Sequence, residues 1–160
     1  MRNPCRSLFI ILFILINVGI MNGQNIKLDQ PELLKQFVGT WAGEFQDGTK
    51  FTCTNEVFSN GLYSKSEIVK DGKTLDSIIQ IYGYDKKADH IIIAELKEST
   101  ALMELCSLKF YSENEGKIII TNPEDAPFSF EFKFDGENKL IQKAIQNGKK
   151  INEIVLIKKM

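Results

Sequence analysis

The sequence predicts an all-β fold: an antiparallel up-and-down β-barrel of about ten strands, preceded by one short helix. Three observations carry this expectation. From Thr40 onward, apolar and polar residues alternate in short runs, the period of a half-buried strand. Five Asx-Gly pairs punctuate those runs, at Asp47-Gly48, Asn60-Gly61, Asp71-Gly72, Asp135-Gly136 and Asn147-Gly148. Such pairs supply the positive φ that tight hairpin turns require. The connections are short, so successive strands lie side by side, and a meander of this length keeps two unpaired edges unless it closes on itself.

The first segment, residues 1–23, reads as a secretory signal peptide. Arg2 and Arg6 form a charged start, residues 8–16 are an uninterrupted apolar run, and Gly19, Asn22 and Gly23 supply the small and polar end. The run is shorter than the roughly 20 apolar residues a membrane span needs, and Asn17 and Gly19 break it. Cleavage is expected near Gly23-Gln24. That leaves residues 24–160 as one domain outside the cytoplasm, periplasmic or secreted, with no stable membrane span.

Residues 31–38 form the one helical stretch. Leu33, Leu34, Phe37 and Val38 repeat at helical spacing, Asp29 or Gln30 serves as cap, Pro31 falls in the first turn, and Gly39 ends it. Strands are expected at 40–46, 50–58, 62–70, 74–84, 90–97, 101–112, 116–121, 127–134, 139–146 and 150–158, with a longer loop at 122–127. In the clearest strand, Phe128, Phe130, Phe132 and Phe134 face one way, and Ser129, Glu131 and Lys133 the other. The triplets 91–93 and 118–120, all Ile, are apolar on both faces, so their second face is expected under the helix or a neighbouring strand. Two inward faces mix polar with apolar residues: Phe51, Cys53, Asn55 and Val57, and Leu102, Glu104, Cys106, Leu108 and Phe110. A polar group inside a barrel is costly unless bonded or wet, so these faces point to a solvated cavity.

Composition narrows the function. A net charge of -1 argues against a nucleic-acid binder held by general electrostatics. Arg2 and Arg6 are the only arginines, so the processed chain would carry 18 Lys and no Arg, with net charge -3. No bidentate guanidinium would then be available for a carboxylate or phosphate. His90 is the only histidine, which excludes zinc sites built on several His. No Gly-x-Ser-x-Gly elbow and no phosphate-binding glycine loop occur. The acidic pairs Glu113/Glu115 and Glu124/Asp125 fall in turns, where acids are ordinarily solvated. No catalytic residue, metal or cofactor is expected. Cys53 and Cys106 remain after processing. An oxidising compartment would permit a disulfide between them, but two separate buried thiols are the favoured reading.

The helix running into Val38-Gly39-Thr40-Trp41, followed by Ala42-Gly43-Glu44-Phe45, resembles the start of the calycin group, lipocalins and fatty-acid-binding proteins. In that group the Trp closes one end of the barrel, and Trp41 matches it. Trp41 with Gly43, then Gly61-Leu62-Tyr63, Asp71-Gly72-Lys73 and Tyr82-Gly83-Tyr84-Asp85, is similar to a bacterial lipocalin-like family of secreted proteins of unknown function, over residues 32–158. Three departures accompany the likeness. Many lipocalins set an Arg of the last strand against the Trp, where this chain has Lys158 and Lys159. The Arg and Tyr that hold a fatty-acid carboxylate near the C-terminus are missing, as is the late His of a related haem-binding barrel. The resemblance implies a barrel with an apolar cavity and carries over no ligand.

The expected function is non-catalytic binding of a small hydrophobic or amphipathic ligand, with Trp41, Tyr63, Tyr82, Tyr84, Phe128, Phe130 and Phe132 as candidate contacts. The competing expectation is a protein-binding module, an inhibitor or envelope scaffold, with a filled core and functional loops.

Overall fold

The computed structural model describes residues 27–100, 102–123 and 126–160. The segment read as a signal peptide lies outside the described residues. Helix α1 (Gln30–Leu34) runs into a single 3₁₀ turn (Lys35–Phe37). Ten strands follow: β1 (Gly39–Glu44), β2 (Lys50–Phe58), β3 (Gly61–Lys70), β4 (Lys73–Asp85), β5 (His90–Lys97), β6 (Met103–Phe110), β7 (Glu115–Asn122), β8 (Phe128–Phe134), β9 (Lys139–Gln146) and β10 (Lys149–Lys158). Each pairs antiparallel with the next, and β10 pairs with β1, giving a closed up-and-down barrel. The closing seam is short, with Trp41 opposite Lys158 and Ala42 opposite Ile157. A backbone bond from Lys159 N–H to Thr40 O extends it (2.7 Å).

Turn chemistry sets the register. Asp71 and Gly72 both have positive φ, at 50° and 75°, as do Asn147 and Gly148, at 51° and 73°. These are two-residue hairpin loops whose twist matches the strands they join. The Asn60-Gly61 pair behaves differently. Phe58 pairs with Gly61, so the loop is Ser59-Asn60, and the positive φ (54°) falls on Ser59. Gly61 is the first residue of β3, and a Cβ there would collide with the Tyr82 carbonyl oxygen. Its glycine serves close strand approach rather than the turn.

Ten strands enclose more space than eight, whose interior side chains alone just fill. One end is filled by α1 and aromatic rings. Asp29 caps the helix by accepting from Glu32 N–H (3.1 Å). Gln30 is a helical residue rather than the cap. Its buried amide donates to Phe110 O (3.0 Å) and accepts from Phe110 N–H (2.8 Å), tying the helix to β6. Phe37 projects beneath it and meets Phe110, Phe132 and Phe134 edge to face, with ring centres 4.9–6.2 Å apart. Trp41 is fully buried beside Phe134. Its indole N–H donates to Phe37 O (2.8 Å), which also accepts from Asn55 Nδ2 (2.8 Å). Leu34, Leu62, Ile91, Leu108, Leu140 and Leu156 complete this core.

Several strand faces differ from expectation. Ile91 and Ile93 are buried, but Ile92 is 40% exposed and Ile119 48% exposed, so neither is covered by helix or strand. Val57, near the end of β2, and Leu102, just before β6, are exposed and do not share the inward faces expected of them. No helix among the described residues is long and apolar enough to cross a membrane.

Candidate functional site

The end opposite α1 is not filled. A partly open cavity of about 460 Å³ occupies it, lined by residues from all of β2–β10 and by Phe45 at the end of β1. Its walls follow from strand alternation. Phe51, Ile68, Ile118, Ile120, Phe128, Phe130, Ala144 and Ile154 make an apolar wall spread over β2, β3 and β7–β10. Gln80, Glu95, Lys97 and Glu104 make a polar wall on β4–β6.

The polar wall is the upper part of a continuous row. Asn55 lies opposite Ser64, Ser64 opposite Gln80, Gln80 opposite Glu95, and Glu95 opposite Glu104. Barrel strands tilt against the axis, so a row perpendicular to them climbs from one end to the other. Asn55 and Ser64, at the closed end, are buried. The Glu95 and Glu104 side chains, nearer the mouth, are 13% and 24% exposed.

Hydrogen bonds run along the row. The Tyr82 hydroxyl donates to Gln80 Oε1 (2.7 Å), and Gln80 Nε2 donates to Glu95 Oε2. The Lys97 ammonium lies between two carboxylates, 3.2 Å from Glu95 Oε1 and 2.9 Å from Glu104 Oε1. Burial works against the Lys97 charge, but its bonds to Glu104 and Glu95 outweigh that and hold its pKa above the ordinary lysine value. Burial pushes the Tyr82 hydroxyl far above the usual tyrosine range, with the nearby Cys53, Glu95 and Cys106 adding to it. Tyr82 is therefore a fixed neutral donor.

The sequence-predicted contacts divide by position. Phe128 and Phe130 line the cavity. Phe132 and Trp41 belong to the aromatic core at the closed end. Tyr82 borders the polar wall through Gln80. Tyr84 sits at the closed end, where its hydroxyl donates to Asp89 (2.8 Å). Tyr63 alternates with the buried Leu62 and Ser64, which turns it to the outside of the barrel. Gln80, Glu95 and Lys97 were not among the predicted contacts. The signal for them was their two-residue spacing from Ile78, Ile91 and Ile93.

Cys53 and Cys106 are separate buried thiols, both pushed up to about 11 by burial. Only Cys106 borders the cavity. Among the described residues, no group of three or more His, Cys, Asp and Glu side chains could hold a metal ion. No family model matches this chain, and no curated protein matches it.

Proposed function

We propose that the protein is a lipocalin-like carrier, working outside the cytoplasm, that takes a small hydrophobic or amphipathic molecule into its barrel without doing chemistry on it. The observation that carries this reading is the unfilled end. Side chains and a helix pack one half of the barrel, while the other half keeps a cavity of about 460 Å³, within the size range of small-molecule sites. A purely structural barrel gains stability by closing such a space.

The test is native mass spectrometry of the chain purified from the cell that makes it, followed by titration with the neutral apolar dye N-phenyl-1-naphthylamine. A co-purifying apolar compound in one-to-one ratio, or saturable one-to-one dye binding, supports the carrier. No bound compound and no dye uptake would sink it.

A second reading has its own observation. Ile79, Ile81, Leu96 and Met103 are exposed on the outer face of β4–β6. Ile79, Leu96 and Met103 lie in one cross-strand row. An exposed apolar face of this kind favours a protein-binding module.

A further inference from the structure

The cavity is sided, and its polar side carries a sign. Glu95 and Glu104 contribute two carboxylates, and Lys97, placed between them, contributes one ammonium. Among the described residues, Lys97 is the only cation lining the cavity. The remaining acid of the lining, Glu153, is half-buried and already paired with Lys150 (3.2 Å). Lys158 lies at the opposite end, over Trp41. The ligand-facing wall of β4–β6 thus holds one negative charge in excess. Next to it, on β7 and β8, stand Ile118, Ile120, Phe128 and Phe130.

We infer that the cavity selects amphiphiles with a cationic, amine-type head and rejects those with a carboxylate head. This rests on the carrier reading above and names its ligand class. In the bound arrangement the tail lies against β7 and β8, and the head group meets Glu95 and Glu104. An ammonium there completes a two-cation, two-carboxylate set and donates hydrogen bonds to carboxylate oxygens. A ligand carboxylate would face two like charges around a lysine that both already share. Placing it there costs the repulsion as well as its own desolvation. The apolar wall serves both ligands equally, so the difference between them is the head group alone.

The experiment compares three probes of one chain length, decylamine, decanol and decanoate, each below its micellar concentration, by calorimetry at neutral pH. The expected order is decylamine, then decanol, then decanoate, with amine over carboxylate by about tenfold or more. Only the amine affinity should fall with added salt. Glu104→Gln brings the wall to neutrality and should reduce the amine preference over the carboxylate to within about twofold. Glu95→Gln combined with Glu104→Gln leaves Lys97 in excess and should reverse the order. Should either variant fail to fold, the wild-type order and its salt dependence decide. Decanoate binding as tightly as decylamine, with decanol also bound, overturns the inference and leaves the carrier standing. Binding of none of the three, with no uptake of the neutral dye, overturns both.

Discussion

The Lys158 ammonium lies 5.3 Å from the centre of the Trp41 ring, and the two residues face each other across the seam that closes the barrel. Trp41 is fully buried and Lys158 is half-buried, so the lysine covers the outer face of the ring rather than filling the core. Gly39 makes room for this. Its φ is +114°, and a Cβ there would press into the Lys158 stem. Trp41→Ala should cost about 3–5 kcal/mol, as for a large aromatic removed from a packed site. Lys158→Ala should cost only about 0.5–1 kcal/mol, the range of a partly exposed cation–π contact, and Lys158→Arg should keep it. Urea denaturation of the three variants checks the ranking. An equal loss for both alanine variants would mean that the lysine contributes packing beyond the cation–π contact.

Gln30 joins α1 to β6 through both polar groups of Phe110. Gln30→Leu leaves a buried N–H and a buried carbonyl without partners, at about 2–4 kcal/mol for the two. Hydrogen exchange gives the sharper readout. The Phe110 amide should lose protection in the variant, while the amides of β8 and β9, which remain paired to each other, should keep theirs.

The strand order and hairpins were legible because turn chemistry and alternation are local, and the observed strands start and stop within two residues of their expected bounds. The Phe ladder was legible for the same reason. The polar wall was not. On β4 the sequence places Ile79 and Ile81 on one face and Gln80 on the other, and hydrophobicity alone would turn the isoleucines inward. The barrel does the reverse. Ile78 below and Tyr82 beyond fix the inward face, and the single period of the strand carries Gln80 with them. β5 repeats this, with Ile91 and Ile93 carrying Glu95 and Lys97 inward and Leu96 outward. Tyr63 was assigned to a pocket on residue type, and the same rule of alternation turns it out.

Thiol chemistry follows from position. Burial raises both Cys53 and Cys106 to about 11, so the thiolate fraction near pH 7–8 is roughly 100-fold below that of an ordinary cysteine. Iodoacetamide should therefore modify the native protein about 100-fold more slowly than the urea-unfolded chain. Cys106, which borders the cavity, should react before Cys53, and a bound apolar ligand should slow it further. Peptide mass mapping over a time course separates the two sites. Early labelling of Cys53 would contradict this placement.

One acid-sensitive contact holds the β1–β2 connection at the cavity end. Asp47, in the β1–β2 connection, is bound by the Lys70 ammonium (2.7 Å), by Thr49 N–H (3.1 Å) and by the Thr49 hydroxyl (3.0 Å). The Lys70 hydrogen bond first, then those from Thr49, lower its pKa from 3.8 to about 2. A folded-state pKa below the unfolded one means stability fully present above about pH 4 and lost as pH falls through 2. Both side chains are well exposed, so the effect is small and shrinks with salt. Asp47→Asn should flatten the fall in stability between pH 4 and pH 2 relative to wild type, measured by urea titration at each pH. An unchanged slope would assign that fall to other carboxylates.

The cavity and the core can be separated by two substitutions in neighbouring strands. Ala144 on β9 lies opposite Phe130 on β8, and both line the cavity. Two residues along, Gln142 lies opposite Phe132, which belongs to the filled end. An indole at position 144 enters open space, so it displaces no packed neighbour and escapes the usual cost of overpacking. Ala144→Trp should therefore melt within a few degrees of wild type and bind N-phenyl-1-naphthylamine at least about tenfold more weakly. Phe132→Ala should show the opposite pattern, losing about 3–5 kcal/mol of stability while the folded fraction still takes up dye. If Ala144→Trp binds dye with unchanged affinity, the dye sits outside the cavity. The exposed Ile79, Ile81 and Leu96 face then becomes the binding surface, and the protein-binding reading takes precedence over the carrier.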